Sequence, residues 1–147
     1  MARDQFNLDD RVAVIGGASR EIGESIAKIL AGYGAHVICT SRRIDGCQAV
    51  ADAIRASGGS AEARACHMGH VVQIEELFDY VDSANGGVGV LFNNASANPY
   101  YGHILDTSVA AFEKTLEVNM RGYFYLCVEA GKRMRAQGKG SIINVAS

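Results

Sequence analysis

The densest chemical signal is the run Gly16-Gly17-Ala18-Ser19-Arg20-Glu21-Ile22-Gly23. It follows a short apolar stretch and opens a segment of helical period. A helix N-terminus offers unpaired N–H groups and the positive end of a dipole, which suits a pyrophosphate. Gly17 permits a sharp turn, and Gly23 permits close packing of helix on strand. The same residues also suit a plain tight turn that binds nothing. A second signal is Ser41-Arg42-Arg43, after the next apolar stretch. In dinucleotide-binding folds an acid at this point holds the adenosine ribose hydroxyls. The corresponding position here, 18 residues after Gly23, is Ser41. With no acid to repel a 2′-phosphate, Arg42 is placed to pair with it bidentately, and Arg20 to approach from the other side. A pair of solvated charges after a strand is the simpler account of Arg42 and Arg43.

These residues need elements to position them. Arg11 to Gly16 reads as a strand buried on both faces. Ile22, Ile26, Ile29, Leu30 and Tyr33 then share a helical face, ended by Gly34. Strands follow at residues 36–40, 61–66, 88–92 and 141–145, the last read as buried. Helices are predicted over 45–57, 72–83, 108–117 (capped by Thr107 or Ser108) and 119–136. Strands joined through helices run parallel with right-handed crossovers. The expected fold is therefore a doubly wound parallel α/β sheet, Rossmann-like, with strand order 3-2-1-4-5. Nothing interrupts it, so residues 1–147 read as one domain.

Composition narrows the function. Charged residues are 20% of the chain and the net charge is −2, without a basic stripe, so neither a nucleic acid nor an anionic membrane is an expected partner. No apolar run approaches the roughly 20 residues of a spanning helix. The residues from Met1 lead into no apolar signal segment, so a cytoplasmic address is expected. Cys39, Cys47, Cys66 and Cys127 form no C-x-x-C pair and have no zinc-finger spacing. They read as small hydrophobes in a reducing compartment, and no metal site is expected.

Four further motifs complete the pattern. Cys66-His67-Met68 follows the third strand, Asn93-Asn94-Ala95-Ser96 the fourth, and Val118-Asn119-Met120-Arg121-Gly122 lies in the following helical segment. Gly140 to Ser147 leads through the fifth strand to a serine. Together with the glycine turn, these resemble the short-chain dehydrogenase/reductase family over essentially the whole chain, corresponding to somewhat over half of a typical member. The resemblance implies cofactor contacts from Gly17, Ser19, Arg20, Glu21, Ile22 and Gly23 in the turn. It implies others from Ser41, Arg42, Arg43, His67, Met68, Asn94, Ala95, Ser96 and Val118. Asn119 and Ser147 match the family's catalytic Asn and Ser.

Four departures stand out. The family's middle glycine is Glu21, whose carboxylate either crowds and repels the phosphates, points to solvent, or caps the helix. The usual Asp near the adenine is His67, which can accept that hydrogen bond through a neutral ring nitrogen. Ser96 replaces a glycine. The family's Tyr-x-x-x-Lys pair, in which Lys lowers the Tyr pKa for proton transfer, does not occur: the residues four before Lys28, Lys114, Lys132 and Lys139 are Glu24, Ala110, Val128 and Arg135.

The resemblance thus implies an oxidoreductase that prefers NADP(H) to NAD(H) and interconverts a carbonyl compound and an alcohol in the intact protein. The family's C-terminal strands are lacking, and this chain is expected to be inactive alone. The alternative is a non-catalytic nucleotide-binding or interaction half-domain. Family members associate through the long helix represented by residues 119–136, which implies a homo-oligomer.

Overall fold

The computed structural model describes residues 6–146. Five parallel strands form one sheet in the order β3-β2-β1-β4-β5. They are β1 (Val12–Gly16), β2 (His36–Ser41), β3 (Ser60–Ala65), β4 (Val90–Asn93) and β5 (Ser141–Asn144). The helices are α1 (Glu21–Gly32), α2 (Ile44–Ala56), α3 (Val71–Asn85), α4 (Val109–Leu116) and α5 (Tyr123–Gln137). The expected fold class and strand order are both present.

Alternation along the strands divides the core. Ala13, Ile15, Val37 and Cys39 pack against α1 and α2, with Ala27, Cys47, Val50 and Ile54. Val14, Ile38 and Leu91 face the other way, toward Ile74, Leu77 and Phe78 of α3 and Leu126, Ala130 and Met134 of α5. Successive strand side chains point to opposite faces, so a strand covered on both sides must be apolar throughout.

Three expectations need correction. Ile22 and Ile29 do not face the sheet; they are 58% and 53% exposed. The buried face of α1 is Gly23, Ala27 and Ala31. Small residues are required because a Cβ on Gly23 would run into the Gly17 carbonyl oxygen. The fifth strand is not buried: all four residues of β5 are exposed, since β4 is its one strand neighbour among the described residues.

Residues 108–117 and 119–136 are not two separate helices either. A π-helical turn over Glu117–Gly122 joins α4 to α5. Ser108 is the cap, its Oγ accepting from Ala111 N at 3.2 Å. A Cβ on Gly122 would strike the Met68 carbonyl oxygen, so this glycine sets how closely the rod approaches the loop after β3.

A 3₁₀ turn, Ile104–Asp106, interrupts the loop between β4 and α4. No helix is long and apolar enough to cross a membrane among the described residues.

Candidate cofactor cleft

A cleft of about 330 Å³ opens at the carboxyl ends of the strands, where β1 lies between β2 and β4. This is the switch point at which ligands bind in open α/β sheets. Its wall contains Gly17, Ser19, Arg20, Glu21 and Ile22 from the β1–α1 turn, and Ser41 and Arg42 from the end of β2. Met68, Asn94, Ala95 and Ser96 line it from the loops after β3 and β4. Arg43 joins Ser19, Arg20, Ser41, Arg42 and Gly46 in an adjoining hollow of about 260 Å³. Four predicted residues do not line the cleft: Gly23, His67, Val118 and Asn119. Ser147 lies outside the described residues.

The glycine turn is tied to both neighbouring strands. Gly17 N and Ala18 N donate to Thr40 O at 2.9 and 3.1 Å. Thr40 Oγ1 donates to Ile15 O at 2.9 Å. From the other side, Asn94 Nδ2 donates to Gly17 O at 3.4 Å. Gly17 has φ +73°, and a Cβ there would stand 2.8 Å from Ala95 Cα. The turn therefore needs glycine for conformation and for space.

The N-cap of α1, Arg20, is extended, and its side chain bonds none of the helix's N–H groups. Those groups face the cleft, ready for an anion. Glu21 sits among them at φ +51°. Among the described residues its carboxylate makes no hydrogen bond or ion pair, so it neither caps the helix nor is neutralised by an arginine. A non-glycine residue in the left-handed region costs about 1–2 kcal/mol. Chain strain and the negative charge thus coincide at one position beside the N-terminal donors of α1.

The basic end of the cleft is differently made. Arg20, Arg42 and Arg43 have no carboxylate within ion-pair distance among the described residues. Ser41 Oγ turns back to donate to Arg43 O at 2.5 Å and accepts from Cys47 Sγ at 3.3 Å. Gly46 brings α2 against Ser19, where a Cβ would lie 2.8 Å from Ser19 Cβ. These guanidinium groups cluster on one hollow without a carboxylate partner among the described residues.

Asn119 acts at a distance from the cleft. Its Oδ1 accepts from Ala97 N at 2.8 Å and its Nδ2 donates to Ala97 O at 2.9 Å. The π-helical turn points this side chain at the loop that carries Asn94, Ala95 and Ser96. His67 offers the cleft no free acceptor. Gly69 N donates to its Nδ1 at 3.0 Å, and Lys114 Nζ lies 3.3 Å from its Nε2. Burial, then the neighbouring His70 and Lys114, hold the His67 pKa below the ordinary 6.5.

Cys66, Tyr123, Val145 and Ala146 also line the cleft, although sequence reasoning named none of them as a cofactor contact. Burial pushes the Cys66 thiol up to about 12 and the Tyr123 phenol above its ordinary value. Tyr123 Oη donates to Val145 O at 3.4 Å.

A parallel sheet in the order β3-β2-β1-β4-β5, with a glycine turn at its switch point, defines a doubly wound, Rossmann-like α/β protein. Comparison then makes the assignment specific: the family model described as short chain dehydrogenase matches residues 11–147, and the chain belongs to that family. Dehydrogenase/reductase SDR family member 4 of Oryctolagus cuniculus is 31% identical over 140 residues, covering 95% of this chain and 54% of the relative. The chain spans about half the length of the curated relatives it matches.

Among solved structures, a metagenomic short-chain oxidoreductase in complex with NADP superposes with TM-score 0.91 at 36% identity, covering 95% of this chain and 63% of the other. A 7α-hydroxysteroid dehydrogenase complexed with NADH superposes with TM-score 0.92 at 31% identity, covering 98% of this chain and 56% of the other.

Proposed function

We propose that this chain is the nucleotide-binding portion of an NADP(H)-dependent oxidoreductase that interconverts a carbonyl compound and an alcohol. The observation that carries the cofactor choice is the hollow at the end of β2, where Arg20, Arg42 and Arg43 meet and no carboxylate lines the wall. An NAD-selective site has an acid at the position of Ser41. Arg42 and Arg20 take the 2′-phosphate, with Arg43 at the rim.

The backbone of Ser19 to Ile22 takes the pyrophosphate, opposed by Glu21. Gly23 keeps the helix close enough for this, while Met68, Asn94, Ala95 and Ser96 border the remainder of the cofactor. Val118 and His67 support the wall from behind. The nicotinamide supplies the hydride when bound. Asn119 fixes the loop beside it, and Ser147 orients the carbonyl oxygen.

No Tyr-x-x-x-Lys occurs in the 147 residues, so proton transfer has no matching pair here. These residues by themselves are expected to bind cofactor without turning over ketones or aldehydes. Exposed Met120 and Phe124 give the rod an apolar outer face, and the reading assigns it to association with a second copy. The described cysteines are free thiols, which suits a reducing compartment, and the reading places the protein in the cytoplasm.

Calorimetric titration tests the cofactor choice. Loss of a charge-assisted contact costs about 1.5–3 kcal/mol, so Arg42→Ala should weaken NADP(H) by roughly tenfold or more. NAD(H) affinity should barely change. Equal losses for both cofactors would refute the assignment.

A further inference from the structure

The loop after β3 and the start of the π-helical turn bring together three side chains that bind metals. His67, His70 and Glu117 each present one ligand atom, and these atoms all lie within 4.8 Å of one another. His70 Nε2 stands 3.9 Å from Glu117 Oε1. The two imidazole rings are stacked, with centroids 4.0 Å apart. Gln73 spans them: its Oε1 accepts from His67 N at 2.7 Å, and its Nε2 lies 3.3 Å from His70 Nδ1.

A cation already sits against this group. Lys114 Nζ is 2.7 Å from Glu117 Oε1 and 3.3 Å from His67 Nε2. The arrangement carries a conflict. Gly69 N–H donates to His67 Nδ1, so a neutral ring holds its proton on Nε2. That N–H then faces the ammonium, donor against donor. The centre is built for a positive charge, and the ammonium fits it imperfectly.

We propose that His67, His70 and Glu117 form a site for a divalent ion of the zinc–cobalt–nickel class, whose place the Lys114 ammonium takes when no such ion is bound. Two imidazoles and one carboxylate are a donor set that zinc accepts, with water completing a tetrahedron. Bonds of about 2.0–2.2 Å require the ligand atoms to draw together. His70 and Lys114 have the freedom for it, with side chains 52% and 36% exposed. On binding, the His67 proton moves to Nδ1, Nε2 gives its lone pair to the metal, and the Gly69 N–H bond is released. Lys114 leaves still protonated and turns to water.

Arg121 donates to Gly69 O at 3.1 Å and adds positive charge nearby. An ion held by charge alone, such as calcium or magnesium, is therefore disfavoured against one that bonds nitrogen. The inference does not depend on the cofactor reading. The chain spacing gave no hint of it, because Glu117 reaches the histidines only through the fold.

Cobalt(II) titration of the full chain, free of any histidine tag, is the test. Visible absorption should report tetrahedral cobalt without a near-ultraviolet thiolate band, and zinc should displace it. His70→Ala should weaken binding by about tenfold or more. Lys114→Met, which removes the competing charge, should tighten it by roughly three- to tenfold. His70 is exposed, and an unchanged urea midpoint confirms that its variant folds. Absence of binding, a thiolate band, equal affinity in His70→Ala, or weaker binding in Lys114→Met would each overturn the proposal.

Discussion

On one face of the sheet, α1 reaches the strands through Gly23, Ala27 and Ala31. On the other, α3 and α5 reach them through Leu77, Phe78, Leu126 and Met134. The first face is closed by small residues of α1, with Val50 and Ile54 added from α2. Its helices carry ion pairs only within themselves, Lys28–Glu24 and Arg55–Asp52, among the described residues. The second is closed by bulk and by charge. Arg133 lies over the Phe78 ring, 5.3 Å from its centroid. It bonds Asp79 and Asp82 of α3 and Glu129 of its own helix at 3.0, 2.6 and 2.6 Å.

The difference teaches where precision is needed. The helix that presents its N-terminus to the cleft must lie close to β1, whereas the helices behind the sheet need only fill space.

The comparison breaks most sharply at Gly23. A Val there drives its side chain into the Gly17 carbonyl, and neither backbone can yield without opening the turn. Overpacking of this kind costs about 1–3 kcal/mol and occasionally more, and this backbone collision belongs at the upper end. Urea denaturation of Gly23→Val should show that loss together with loss of cofactor affinity. A midpoint within error of the wild type would mean that α1 is free to ride outward.

On the opposite face, Arg133→Ala should destabilise by roughly 1–3 kcal/mol, because it leaves carboxylates without their partner. The clamp also has a pH signature. Lys132, then Arg133, hold the Glu129 pKa below its ordinary value of 4.5, against the effect of burial. Its contribution is therefore present above the unfolded pKa and lost as pH falls through the folded one. Wild type should lose more stability than Arg133→Ala on acidification below pH 4.5. Parallel pH profiles for the two would show that the clamp is decorative.

The smallest effect belongs to Glu21. Replacement by Gly relieves a left-handed backbone cost of about 1–2 kcal/mol, offset by up to about 1 kcal/mol of added unfolded-chain freedom. Stability should change little, while NADP(H) affinity should rise. If charge repulsion dominates, the gain should shrink with added salt. Unchanged or weaker affinity would show that Glu21 is already compatible with the phosphates.

Much of this was legible in the sequence. Apolar runs separated by helical-period segments marked the five strands; their order and the place of the cleft followed from the doubly wound fold that the motifs resemble, and the glycine turn marked the switch point. The misreadings share a cause. Periodicity puts Ile22 and Ile29 on the apolar face of α1 because it weighs apolar size, whereas the contact face of α1 is made of Gly and Ala. Burial of β5 was inferred from Ile142 and Ile143, each 38% exposed, though apolar character does not report how many neighbours a strand has. Tyr123, Val145 and Ala146 entered the cleft unannounced because their places depend on how α5 and β5 pack. Asn119 was found by motif, but its bidentate hold on Ala97 came only with the π-helical turn.

The sheet order also has a consequence for the growing chain. β1 pairs with β2, Ala13 opposite Val37, and also with β4, Ala13 opposite Val90. The first partner is made soon after β1; the second appears only after three helices have been synthesised. Until then the central strand is a bare edge, and Val14 and Ile38 lack the α5 side of their cover. Nascent chains that stall before residue 90 therefore present an unpaired apolar edge, the kind of surface that chaperones engage and that aggregation exploits. The topology that creates the cleft thus leaves the central strand paired on one side only until β4 has been made.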